Sequence, residues 1–319
     1  MNQLLGQAAS QALSEIVQEN DKVVVLNCDV AKSVGVRDFG KEHPDHFIQL
    51  GISEQDMILM AGGLAASGFI PVATTFAKFG SLRVAEQIST FVAYPRQNVK
   101  ILVSHGGISP AQDGVTHQAV EDLGVIRSIP GMTVIEPYDG NACKTLLRAT
   151  IEHNGPVYIR MNRENLPLLE TVDSTDLTIG KGKLIKDGRD IAILAMGGMV
   201  ARALEAAELL ENTEHISAAV YAIHTLKPLD EDLVAELAGR YGALVTAEEH
   251  NIHCGLADAV SSVVTSRCPV LVGKVAIMDT FAQSGTYPQL LQAYHLAPQD
   301  IAQKVLETMQ HRRRRMRTA

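Results

Sequence analysis

The stretch Leu50-Gly51-Ile52-Ser53-Glu54-Gln55-Asp56-Met57 decides how the rest of the chain is read. Ile48 to Ile52 is apolar and β-branched at its ends, the pattern of a short buried strand. Ser53 followed three residues later by Asp56 has the spacing of a capping box, so a helix is expected to start there. Glu54 then stands in the first turn of a strand-to-helix junction, where open α/β sheets place ligands. An acid in a first turn also complements the helix dipole, so the surrounding sequence has to decide whether Glu54 does chemistry.

Upstream, residues 4 to 18 read as an amphipathic helix and Lys22 to Val30 as a buried strand, followed by a loop from Ala31 to Gly40. Gly35 to Lys41 is a near miss to a phosphate-binding loop, with Glu42 where Ser or Thr should hold a metal. Downstream, a helix over 54–67 carries Gly62, Gly63, Ala65 and Ala66, which suits close approach of another backbone, in the same chain or a partner. Strands then alternate with helices: strands at 70–75, 99–104, 132–136 and 156–161, helices near 118–128 and 140–153, with a further helix ending at Tyr94. A second series has strands near 191–196, 217–222, 243–247 and 270–275, with helices near 200–211, 230–240, 256–266 and 298–310. The alternation predicts an α/β fold with two domains, each a mostly parallel sheet flanked by helices. The expected boundaries are a first domain over 1–165, a linker over 166–189, a second domain over 190–310 and a basic tail over 311–319.

The bulk properties narrow the function. A chain of 319 residues, 46% apolar and 20% charged, is long enough for two globular cores. A net charge of -8 argues against nucleic acid as a partner, and the run Arg312 to Arg315 reads as a frayed, solvated tail. Four cysteines without paired spacing suit reduced thiols in the cytoplasm. No signal peptide is evident at the start, and no apolar run is long enough to span a membrane.

Three features fall at expected strand ends of the first domain: Glu54, the pair Phe76 and Phe79, and the polar loop from His105 to His117. Together they predict one ligand site along one sheet edge. Phe76 and Phe79 are three apart and can face the same way. His105, Asp113 and His117 form a plausible acid-base or hydroxyl-binding set. In the second domain, Glu248-Glu249-His250 with His253 and Cys254 invites a zinc reading, but a structural loop is simpler.

At GISEQDM, TTFAKF, DGVTHQ and NREN the sequence resembles the C-terminal half of transketolases, with the motifs in the right order and spacing up to about residue 306. The resemblance implies a pyrimidine-binding domain followed by the family's C-terminal domain, with thiamine diphosphate held between two subunits. By that resemblance Glu54 bonds the aminopyrimidine ring and helps to activate the cofactor. Phe79, with Phe76 beside it, packs on the pyrimidine, and Ile52 is expected to line the same site. His105, Asp113 and His117 match substrate and proton-handling residues, with His117 as the catalytic histidine. Ser33 and Arg163 match residues that hold the sugar phosphate. Two positions depart from the family pattern: the place of a phosphate-gripping arginine usual in the first helix falls near Gly6, and Leu82 stands where a tyrosine often follows the two phenylalanines.

The diphosphate and its Mg2+ are held in this family by a GDG motif with an Asn downstream. Here the Asp-Gly pairs are Asp113-Gly114, Asp139-Gly140 and Asp187-Gly188, none preceded by Gly. The resemblance therefore implies a separate N-terminal partner subunit carrying GDG...N and most of the Mg2+ contacts, a homodimer core within a heterotetramer, sugar phosphate substrates, and no activity for this chain alone. The alternatives are the β subunit of a 2-oxoacid dehydrogenase, a piece of a 1-deoxyxylulose-phosphate synthase, and a non-catalytic regulatory partner. The DGVTHQ loop favours transketolase over the dehydrogenase.

Overall fold

The computed structural model describes residues 2–170 and 172–318. A seven-stranded sheet occupies the first half. Its spatial order is Thr225–Lys227, Thr133–Ile135, Val157–Arg160, Lys100–Ser104, Ile70–Phe76, Val23–Asn27, Phe47–Gln49. All neighbours are parallel except Thr225–Lys227, which runs antiparallel to Thr133–Ile135. Strands such as VVVLN and KILVS are buried along their whole length because helices cover both faces. Helix Leu5–Glu19 buries Leu5, Ala8, Ala9, Ala12, Leu13 and Ile16, the three-and-four spacing of one helical face, into the same core as Leu146 and Leu147 of helix Gly140–Glu152.

A five-stranded sheet follows, ordered Leu271–Ile277, Ala243–Asn251, Ile191–Ala195, Ala218–Ala222, Lys183–Lys186, with only the last strand antiparallel. Among the described residues no helix is long and apolar enough to cross a membrane.

Several local expectations change. The strand expected over Ile48–Ile52 is Phe47–Gln49, because Gly51 turns the chain at φ 72°. Helix Glu54–Ala66 starts where expected, but not through a capping box: the Ser53 hydroxyl donates back to the Leu50 carbonyl at 3.1 Å. The stretch Ala31–Gly40 is not a loop but holds helix Ala31–Val34 and the start of helix Arg37–Glu42. The connection after residue 165 contains two short strands: Asn165–Pro167, paired with Asn2–Leu4, and Lys183–Lys186 at the edge of the second sheet. Helix Pro298–Thr318 runs on through the arginines, so the reading of a frayed tail is replaced. Arg312 donates to the carbonyls of Asp190 and Tyr241, and the second of these lies at the end of helix Glu231–Tyr241, where carbonyls lack helical partners. Ala319 lies outside the described residues.

Candidate active site

Parallel strands Val23–Asn27 and Ile70–Phe76 are neighbours, yet the chain leaves the first toward Phe47–Gln49 on its other side. This is a point where strand order reverses, and the carboxyl ends flanking it form a crevice. Glu54 enters that edge from its helix and is 3% exposed. Its carboxylate accepts from Thr75 Oγ1 at 3.3 Å and from Arg83 Nη1 at 2.7 Å. From the sequence, the apolar neighbours Ile52 and Met57 are its expected surroundings. Instead, Met57 faces Cys28 at 3.5 Å, Ile52 is 78% exposed, and a hydroxyl and a guanidinium meet the acid.

The rings gather next to this acid. Phe76 and Phe79 lie 5.9 Å apart, His105 is 4.1 Å from Phe76, and His117 is 5.8 and 5.4 Å from Phe76 and Phe79. Arg83 lies 4.1 Å over the Phe79 ring while it holds Glu54. A flat N–H donor thus rests between an aromatic face and a carboxylate. Arg83 is 43% exposed, so a ligand with the same flat, donating shape can take its place. The sequence alone did not single out Arg83, nor Thr75 within TTFAKF: they stand 29 and 21 residues from Glu54, and their meeting depends on how the strands are ordered.

His105 sits at the end of strand Lys100–Ser104 with φ 68°, a conformation that non-glycine residues adopt rarely and that clusters at functional sites. Its Nδ1 is 2.5 Å from the Ser104 hydroxyl. Burial, then the positive charge of Arg163 and of His117, pushes the imidazole down to about 3. His105 is therefore neutral at working pH and can offer a hydrogen bond but no charge to a substrate. The loop behind it closes on itself through paired bonds of 2.9 Å between Gly107 and Ala119.

Asp113 and Arg163 are brought together on this loop by a 2.7 Å ion pair, and Arg163 also donates to the Pro110 carbonyl at 2.9 Å. Arg163 and Ser33 line one cleft of about 170 Å3, which also takes in Lys32, Arg37 and Asn162. Gly6 lies at the same cleft. A Cβ there would overlap the Val34 carbonyl, and Gly35, at φ 96°, presses on Gly6 in return. The backbone contact leaves no room for a side chain at position 6 itself. Lys32 brings positive charge to the cleft that the sequence alone did not single out, whereas Arg37 there pairs at 3.5 Å with Asp38, which lines the same cleft.

The Glu248-Glu249-His250 run is structural. The Glu248 carboxylate accepts from the Leu256 and Ala257 amides at 2.6 and 2.8 Å and so caps helix Leu256–Arg267; burial pushes this acid up to about 7 despite the two amides. His250 Nδ1 lies 2.8 Å from the Asn251 carbonyl, and its Nε2 accepts from the Gly124 amide at 3.3 Å. One nitrogen donates and the other accepts, the pattern of a neutral imidazole with no lone pair left for zinc. Among the described residues no cluster of three His, Cys, Asp or Glu is placed to hold a metal.

A doubly wound parallel sheet with an acid, an aromatic stack and a histidine loop on its carboxyl edge defines an α/β protein with a candidate ligand site at that edge. The profile of the transketolase pyrimidine-binding domain matches residues 3–168, and that of the transketolase C-terminal domain matches residues 180–301. The chain belongs to the transketolase family. It is 37% identical to the 6-deoxy-6-sulfo-D-fructose transketolase subunit SqwH of Clostridium sp. (strain MSTE9), over 94% of this chain and 92% of that protein. It is 31% identical to an apulose-4-phosphate transketolase subunit of Phocaeicola vulgatus, over 93% of this chain and 95% of that one. A solved structure described as a split gene transketolase, inactive beta4 tetramer, is 40% identical and superposes with a TM-score of 0.88, covering 96% of this chain and 98% of that one. These matches do not favour the dehydrogenase alternative.

Proposed function

We propose that this chain is the pyrimidine-binding subunit of a thiamine diphosphate-dependent transketolase that moves a two-carbon ketol unit between sugar phosphates. It acts with a partner subunit that holds the diphosphate and Mg2+. The observation that carries this reading is the Glu54 carboxylate, 3% exposed, facing a flat N–H donor stacked on Phe79, a ring that the His117 ring meets at 5.4 Å. An aminopyrimidine has the same flat shape and donor edge as the guanidinium now between them. Thiamine diphosphate, when bound, supplies carbanion stabilisation. Glu54 exchanges a proton at the ring nitrogen it faces, Phe76 and Phe79 orient the ring, and His117 moves protons at the substrate.

The cleft of Ser33 and Arg163, with Lys32, suits a terminal anion on the sugar, Arg37 there being balanced by Asp38. The names of two relatives put a sulfonate or a phosphate on a ketose, which is the substrate class to test first. Arg163 grips that anion at the expense of its bond to Asp113, while neutral His105 adds a hydrogen bond. Arg163→Ala is expected to raise KM for the anionic ketose by roughly 10- to 100-fold, the scale of a lost charged hydrogen bond, with cofactor affinity unchanged. An equal rise for a ketose lacking the anion would show that Arg163 acts elsewhere.

The chain pairs with a second copy through its first domain. On helix Glu54–Ala66, Gly62 already packs on the Phe91 carbonyl of its own chain, whereas a Cβ on Gly63 would meet nothing within 4 Å among the described residues. Exposed Leu59 and Met60 on that helix, Ile52 just before it, and exposed Phe91, whose carbonyl packs on Gly62, leave apolar surface suited to a two-fold contact. The test of the whole proposal is co-expression with a chain bearing a GDG...N motif, light scattering of the product, and a screen of ketose phosphate and sulfonate donors. The expected species is a heterotetramer active only with both chains and thiamine diphosphate. Activity of this chain alone, or a complex with a single copy of it, would overturn the corresponding part.

A further inference from the structure

The candidate site residues all lie in the first 163 positions, and none comes from the second sheet. Yet the His105–Gln118 loop is backed by the second half of the chain at both ends. At its start, the Ile108 amide donates to Glu249 Oε1 at 2.8 Å. Gly107, at φ 60°, approaches so closely that a Cβ would overlap the same carboxylate. At its end, Gln118 Nε2 donates to the Gln283 carbonyl at 3.1 Å, and a Cβ on Gly114 would stand 2.6 Å from Ser284 Oγ.

Glu249 reaches further. Its Oε2 accepts from Tyr287 OH at 2.6 Å and from Asn162 Nδ2 at 3.2 Å. Asn162 Oδ1 in turn accepts from the Glu164 amide at 2.8 Å, so Arg163 is held between two fixed residues. The Arg163 amide also donates to Ser109 Oγ at 3.1 Å, one residue beyond Ile108. A single carboxylate, 3% exposed, therefore joins the histidine loop to the strand end that carries Arg163. Burying an acid is costly unless its acceptor sites are filled. Here three donors fill them: the Ile108 amide from the histidine loop, Asn162 from beside Arg163, and Tyr287 from the second half of the chain.

We infer that Glu249 is a positioning residue for substrate: from the second domain it sets the distance between the His105–Gln118 loop and Arg163. A glutamine at 249 keeps the shape but has one acceptor oxygen. Its oxygen serves best facing the two donors Tyr287 and Asn162, which turns its NH2 on the Ile108 amide, donor against donor; in the reverse orientation Tyr287 can turn its hydroxyl to accept, but Asn162 loses its acceptor, so one bond of the link is lost either way.

The kinetic arm of the test rests on the transketolase reading; the exchange arm does not. In the isolated chain, Glu249→Gln and Tyr287→Phe are expected to speed hydrogen exchange of the Ile108 amide and of the Gly107 and Ala119 pair. Glu248→Gln, which touches only the helix cap, should leave those amides alone and lower the thermal midpoint. In the complex with the GDG-bearing partner, Glu249→Gln and Tyr287→Phe should raise KM for the anionic ketose roughly tenfold, the scale of one lost hydrogen bond to a charged group, with kcat and cofactor affinity near wild type. Tyr287→Phe serves if Glu249→Gln does not fold. Unchanged exchange at Ile108, or an unchanged KM in a complex whose wild type is active, overturns the inference. If the wild-type complex has no transketolase activity, the proposed function fails and the exchange result alone decides the role of Glu249.

Discussion

In the assembled enzyme, Glu54→Gln is expected to lower kcat by roughly 10²–10⁴-fold, the usual scale for a lost acid-base group, while the subunits still associate. The acid is 3% exposed and receives one hydrogen bond from Thr75 and one from Arg83. A glutamine oxygen can accept one of these, so packing and the start of helix Glu54–Ala66 survive the change. On the proposed function, what it cannot do is take up and return a proton at the cofactor's pyrimidine nitrogen. The loss should therefore fall on kcat more than on KM, because the proton is needed after binding. Deuterium exchange at C2 of thiamine diphosphate bound to the variant complex, followed by NMR, reports this step without any sugar. Exchange at the wild-type rate would reduce Glu54 to a first-turn acid that complements the helix dipole.

The second large effect concerns stability. Arg160 is fully buried at the end of strand Val157–Arg160, with Nη1 3.0 Å from Asp122 and Nη2 2.9 Å from Glu136. It also donates to the carbonyls of Ala119 and Glu249 at 3.4 and 3.2 Å. Tyr158 OH bonds the other Asp122 oxygen at 2.9 Å. Burial pushes the Glu136 acid up to about 7 against the pull of Arg160. Arg160→Met removes the cation and strands two buried acids, which is expected to cost about 3–5 kcal/mol. Denaturant unfolding of the isolated chain measures it as a lower midpoint. Adding Asp122→Asn and Glu136→Gln to Arg160→Met should recover part of the loss, since the stranded charges are then gone. A single variant that unfolds at the wild-type midpoint would mean the network contributes nothing.

These two sites mark what was legible in the sequence. Glu54 was readable because a strand, a turn and a first-turn acid fall within eight consecutive residues, and the period change from strand to helix is local. The alternation of strands and helices likewise pointed to parallel sheets, since each element's pattern is short-range. Arg160 was not readable. It ends an apolar strand, and its partners lie 38 and 24 residues away, so only the strand order brings them together. The same holds for Arg83 at Glu54, and for Glu249, which is 141 residues from Ile108. The Ala31–Gly40 region was misread because two short helices of four and six residues are too brief to show a helical period. The close contact of Gly6 with Gly35 and Val34 likewise needs three dimensions to be seen.

Strand Thr225–Lys227 carries a consequence for modularity. The chain completes a first sheet of six strands, passes through Lys183–Lys186, Ile191–Ala195 and Ala218–Ala222 of the second, and only then returns to close the edge of the first beside Thr133–Ile135. The two profile matches suggest a hinge near residue 175 at which the halves could be shuffled like cassettes. The threading says otherwise. A cut there strips Thr133–Ile135 of its neighbour and leaves a raw sheet edge, the kind that pairs with other chains. The halves are interlaced, so recombination and engineering have to treat residues 2–318 as one indivisible part and exchange it whole.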